Sequence, residues 1–164
     1  PCLDMVQNGE VDFAVAARRA DMSGLDSTFL HADRYFLVCR EDHALASQRQ
    51  VRLRDVAQWP VIQLARGSSV RQRLDEALGA EAFTPVLEVE HLATVTGLVL
   101  AGMGVSVVPA MTLFHFQRPE LVIKPLQGRA LTRPLFLVRR KGRGLSVAAQ
   151  TFYDLLMAHR AGLA

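Results

Sequence analysis

The feature that most constrains this chain is a regular exchange of short apolar runs and segments with helical spacing. Residues 11–16, 27–31, 34–39, 61–64, 85–89, 105–108, 121–123 and 135–138 read as strands, being apolar, β-branched or aromatic and bounded by turn formers. Between them, 2–8, 53–57, 92–101 and 146–159 read as helices, as does a stretch from Ser69 to about Leu78 carrying Val70, Leu74, Ala77 and Leu78 at helical spacing. Gly9, Gly79 and Gly102 stand where such helices close. Residues 41–50 read as a polar surface loop, 110–116 as a short helix, and the last helix gathers Ala149, Phe152, Leu155 and Leu156 on one face. This order predicts an α/β fold of open, mostly parallel sheets covered on both faces. Periodicity alone does not separate one sheet from two.

Half of the 164 residues are hydrophobic and 21% are charged, enough for a buried core. No run approaches the ~20 apolar residues needed to span a bilayer, so no membrane association is expected. The first residues, Pro1-Cys2-Leu3-Asp4, have neither an initiator methionine nor a signal-peptide pattern, which predicts a piece of a longer cytoplasmic protein. Cys2 and Cys39, with no paired spacing, fit a reducing compartment. The net charge of +3 is carried mostly by arginine. Its densest cluster, Arg139-Arg140-Lys141-Gly142-Arg143, could contact phosphates. With no aromatic residue interleaved, it reads as a solvated turn.

Catalytic signatures are missing: there is no phosphate loop ending in Gly-Lys-Ser or Gly-Lys-Thr, no His-Glu-x-x-His and no Gly-x-Ser-x-Gly. The five histidines are scattered singly, and Cys39 and His43 sit at a strand's end where a four-residue spacing does not converge, so neither a metal nor a cofactor is expected. Gly97, Gly102 and Gly104 precede a strand, the reverse of a dinucleotide fingerprint. The most informative element is Gly67-Ser68-Ser69-Val70-Arg71, a strand-to-helix junction. Unpaired first-turn amides, the helix dipole and serine hydroxyls suit a carboxylate there. Plain N-capping, worth ~1 kcal/mol, explains the serines more simply from local sequence. The junctions Glu88 to Thr94 and Ala14 to Arg18 lie at the same kind of strand end, where open α/β sheets bind ligands.

Several segments together resemble LysR-type transcription regulators. Val6-Gln7-Asn8-Gly9-Glu10-Val11-Asp12-Phe13-Ala14-Val15 resembles the family's helix, glycine, aspartate and strand. Phe36 to Leu45 is similar to its strand followed by His-Pro-Leu, with Ala44 in place of proline. Leu53-Arg54-Asp55-Val56 resembles its Leu-x-Asp-Leu, and Leu98 to Pro109 its helix–glycine–strand–proline signature. Arg133 to Val138 and then Leu145 to Phe152 complete the order.

The resemblance implies an effector-binding domain of the periplasmic-binding-protein-like type 2 fold, two Rossmann-like lobes joined by two crossover segments. It places 1–46 and 131–164 in lobe I, incomplete at its start, and 47–130 in lobe II. Carried over residue by residue, the effector contacts are Ala16, Ala17, His31, Ser68, Ser69, Val70, His91 and Leu92. Some relatives have arginine where His31 stands, so charge preference here would depend on pH. Also implied are a small, anionic effector held between the lobes, a homodimer or tetramer, and DNA binding only through a winged helix-turn-helix outside this sequence. Two alternatives share the fold: a transporter's solute-binding protein, and an enzyme for which Ser68, Ser69 and His91 are the only acid or nucleophile candidates.

Overall fold

A computed structural model of the chain describes residues 2–79, 83–127 and 131–162. In chain order the elements are α1 (Cys2–Asn8), β1 (Phe13–Ala16), β2 (Leu25–Arg40), α2 (Ala44–Ser47), β3 (Val51–Arg52), α3 (Leu53–Val56), β4 (Val61–Leu64), α4 (Ser69–Leu78), β5 (Pro85–Val89), α5 (Leu92–Leu100), β6 (Ser106–Pro109), a 3-10 helix (Ala110–Phe116), β7 (Leu121–Gln127), β8 (Thr132–Arg140), α6 (Val147–Ala158) and a last 3-10 turn (Arg160–Gly162). Two compact units result. One takes the residues up to Asp33 and those from Pro134; the other is Arg34–Arg133. The chain passes from one to the other inside β2 and again inside β8.

In the Arg34–Arg133 unit, alternate residues of each strand serve opposite layers, as the two-residue period of a strand requires. Leu37, Cys39, Val61, Val105 and Val107 join Val70 and Leu74 of α4 in one buried cluster. Val38, Ile62 and Val108 join Val95 and Val99 of α5 in another. Burial on both faces explains why these strands read as unbroken apolar runs. The first unit has a smaller core of Leu3, Val6, Leu25 and Val138. There α6 contributes no buried residue: Phe152 and Leu155 are about half exposed, and the Phe152 ring packs tilted against Phe13, 5.8 Å between ring centres.

The ladders correct the expectation of mostly parallel sheets. β1–β8, β2–β6 and β2–β7 are antiparallel; the parallel pairs are β3–β7, β4–β5 and a single bridge from Val61 to Val105. A parallel neighbour needs a crossover long enough to carry the chain back, usually a helix. α4 supplies one between β4 and β5, and α5 one between β5 and Val105, whereas β1 and β2 are joined without any helix. The runs 27–31 and 34–39 are one continuous strand, β2, which carries Ala32 and the buried Asp33 between them. Residues 41–50 are not all loop either. His43 caps α2, its Nδ1 accepting from the Leu45 amide at 3.1 Å, and its ring packs against Trp59 at 4.5 Å. Lys124 donates to the carbonyls of Leu45, Ala46 and Gln48 at the helix's other end.

The glycines of the Leu98-to-Pro109 segment have separate tasks. Gly102, at φ +74°, closes α5 in a Schellman turn: its amide donates to Val99 at 2.9 Å and that of Met103 to Leu98 at 3.1 Å. Arg40 adds a bond to the Leu100 carbonyl at 3.1 Å. Gly104 permits close backbone approach, since a Cβ there would lie 2.5 Å from the Pro60 carbonyl oxygen. That oxygen accepts from Val105 at 2.9 Å, and Ile62 donates back to Val105 at 2.8 Å. Gly104→Ala is therefore expected to destabilise the chain by at least about 2 kcal/mol, read as a lower denaturation midpoint, because backbone rather than a pliable side chain blocks the new methyl.

Burial holds the His43 imidazole below its usual value of 6.5, with the nearby Asp42 charge opposing that only in part. Protonation would also remove the Nδ1 acceptor that caps α2. This group's contribution is complete above pH 6.5 and is lost as pH falls through the lower folded value. His43→Asn, which keeps an acceptor, should flatten the decline in melting temperature below pH 6.5.

Candidate functional site

β4 and β5 run parallel and in register, Leu64 opposite Val89, so both carboxyl ends lie side by side. The Ala65 amide donates to the Val89 carbonyl at 2.9 Å and fastens the two exits together. From this shared end the chain enters α4 and α5, which brings Ser68, Ser69 and Val70 to the same edge as His91 and Leu92.

Ser68 is the N-cap of α4. Its backbone is extended, its Oγ accepts from the Val70 amide at 3.2 Å, and its carbonyl takes the first helical bond, from Gln72, at 3.0 Å. The capping reading of Ser68 therefore holds. Ser69 differs: its Oγ accepts from Nη1 of Arg133 at 3.1 Å, so the hydroxyl keeps its own proton to donate elsewhere. Among the described residues no backbone carbonyl accepts from the Ser69 or Arg71 amides, two of the donors that a helix start leaves open. These donors, the guanidinium of Arg133 behind Ser69 and the positive end of the α4 dipole suit a carboxylate or another anion.

His91 is the N-cap of α5 by backbone geometry, exposed and without a side-chain capping bond; its carbonyl accepts from Thr94 and Val95. Leu92 is half-buried and packs against the α5-side core. Among the described residues no hydrogen bond joins His91 to either serine. In the other unit, Ala16 ends β1 opposite Phe136 of β8, and Ala17 follows in the loop, where Arg18 lies 5.6 Å over the Phe136 ring. His31 is half-buried on β2, the strand on the far side of β8 from β1. Among the described residues no three His, Cys, Asp or Glu side chains gather to hold a metal.

Arg133 and Tyr35 have no assigned role in the sequence reading, and Arg71 enters it only as the last residue of the serine turn. Arg133 reaches Ser69 across 64 positions. Tyr35 donates its hydroxyl to the Val70 carbonyl at 3.2 Å and fixes the first turn of α4 from below. Arg71, its side chain 5% exposed, pairs with Asp75 at 2.8 Å and with Glu88 of β5 at 3.2 Å, tying α4 to the strand beside it. Only the Arg71–Asp75 pair, four apart on a helix, leaves a signal in local spacing.

These features match a known family. The model of the LysR substrate binding domain aligns with residues 2–161. The chain belongs to this LysR family. Among its relatives, the HTH-type transcriptional regulator YbhD of Escherichia coli K12 is 31% identical over 95% of this chain and 50% of its own length. The transcriptional dual regulator GltC of Bacillus subtilis 168 is 26% identical over 94% of this chain and 53% of its own. The chain thus spans about half the length of the curated relatives it matches. The effector binding domain of QuiR, solved with shikimate, superposes with a TM-score of 0.82 at 20% identity, covering 98% of this chain and 77% of that one. The BenM effector binding domain with benzoate gives 0.80 at 20% identity, covering 98% and 75%. The LysR domain here therefore has the two-lobed, periplasmic-binding-protein-like type 2 fold of those domains.

Breaking the Arg71 tie tests how far it positions the LysR serine turn. Arg71→Met should cost about 2 kcal/mol in denaturant unfolding, less than a fully buried pair because Asp75 and Glu88 are each about a third exposed and stay solvated. An unchanged midpoint would show the bridge to be dispensable.

Proposed function

We propose that this LysR domain senses a small carboxylate effector for a bacterial transcription regulator and has no catalytic activity of its own. The observation that carries the reading is the open donor set at the start of α4, where Ser69 is polarised by Arg133 while Ser68 serves as cap. Shikimate and benzoate, named with the QuiR and BenM domains, are both carboxylic acids, which supports the same ligand class here. Ser68, Ser69, Val70, His91 and Leu92 would form the lobe II contacts, and Ala16, Ala17 and His31 those of lobe I. The relatives are transcription regulators rather than transport proteins or enzymes, and this favours sensing over both alternatives. Action in the cytoplasm, homodimerisation and DNA binding through a separate segment of the full-length protein belong to the same proposal.

Sensing requires that the effector bind one arrangement of the regulator better than another, because equal affinity shifts no equilibrium. The test is calorimetric titration of the full-length protein with a panel of carboxylic acids and their uncharged amides. Carboxylates should bind and amides should not. Ser69→Ala should weaken binding roughly tenfold, the value of one charge-assisted hydrogen bond. Equal binding of acids and amides, or an unaffected Ser69→Ala, would remove the anion site.

A further inference from the structure

In the unit that holds α1 and β8, a recess of about 130 Å³ opens between the turn after α1 and the turn after β8. Glu10 and Asp12, from the first of these turns, and Arg140 and Arg143, from the second, all line it. Two acidic and two basic residues thus line one small space, yet among the described residues no ion pair joins them. Neighbouring groups hold three of them back. Glu10 accepts from the Asn8 amide group at 3.2 Å, and Asp12 from the Ser146 hydroxyl at 3.4 Å. Arg140 donates to the Gln7 carbonyl at 3.5 Å and lies against Gly9, where a Cβ would come within 2.9 Å of the guanidinium. Ser146 is itself fixed as the N-cap of α6, accepting from Ala149 at 3.2 Å.

Opposite charges that share a recess without pairing leave hydrogen-bonding capacity on both sides. A lone anion would meet Glu10 and Asp12 as well as the arginines, and a lone cation would meet the arginines as well as the carboxylates. A ligand carrying both charges satisfies each side and keeps the lining neutral. The recess has room for several water molecules, and so for the five heavy atoms of glycine. We propose that this recess is a second small-molecule site, one that takes the ammonium–carboxylate head of a free α-amino acid. Glu10 and Asp12 accept from the ammonium, while Arg140 and Arg143 donate to the carboxylate. The site is separate from the serine turn at α4, and it does not depend on the proposed effector reading.

Equilibrium dialysis of the full-length protein with radiolabelled glycine tests this, with L-alanine, acetate, methylammonium and inorganic phosphate as unlabelled competitors. Glycine should bind and L-alanine should displace it. Acetate and methylammonium should be at least ~10-fold weaker, because each meets only half of the lining. Arg143→Ala, an exposed position, and Asp12→Asn, which keeps an acceptor for Ser146, should each lower glycine binding at least ~10-fold while the far-ultraviolet circular dichroism stays unchanged. Ser69→Ala should leave glycine binding intact. The proposal is overturned if glycine does not bind, if phosphate or acetate competes as well as L-alanine, or if Ser69→Ala rather than the recess variants removes binding.

Discussion

The Arg34–Arg133 unit depends on strands that bury both faces at once. Val61 and Ile62 are successive residues, and they belong to different cores, one closed by α4 and the other by α5. The same split runs through Leu37 and Val38 on β2 and through Val107 and Val108 on β6. Two-sided burial forces the helices onto opposite faces, and parallel strands then deliver both helix starts to one edge. The site geometry is a consequence of that packing. Where β4 approaches Val105, space is so short that position 104 has no room for a side chain.

At that edge the two serines have divided roles. Ser68 spends its oxygen on the helix, as an N-cap does. Ser69 accepts from Arg133 and keeps its own hydroxyl proton free to donate. Arg71, Tyr35 and Glu88 then hold the first turn of α4 in place. Under the proposed reading, a carboxylate at this turn would meet donors already oriented, which lowers the conformational cost of binding. The smaller unit is built on a lighter core, and its surface carries the separated charges around Arg140.

Much of this could be read before any coordinates. The strand and helix order and the capping glycines follow from local spacing, and the kinship with LysR regulators follows from the ordered resemblance of several motifs. Less legible was strand direction: β2 is long and antiparallel to β6 and β7, and Ala32 and Asp33 at its centre broke the apolar run. Nor did residues 41–50 reveal that His43 would cap a helical turn. Arg133 lies 64 positions from Ser69, and no local pattern connects them.

What the sequence determined by itself was the set of elements, because apolar period, capping residues and turn glycines act within a few residues of one another, and the family resemblance rests on motifs equally local. Tertiary structure alone decided which serine caps the helix and which accepts from Arg133, and which charged residues line one recess without pairing. Those outcomes depend on side chains brought together from distant positions. A distance of 3 Å between such groups is set by packing in space, and chain order carries no record of it.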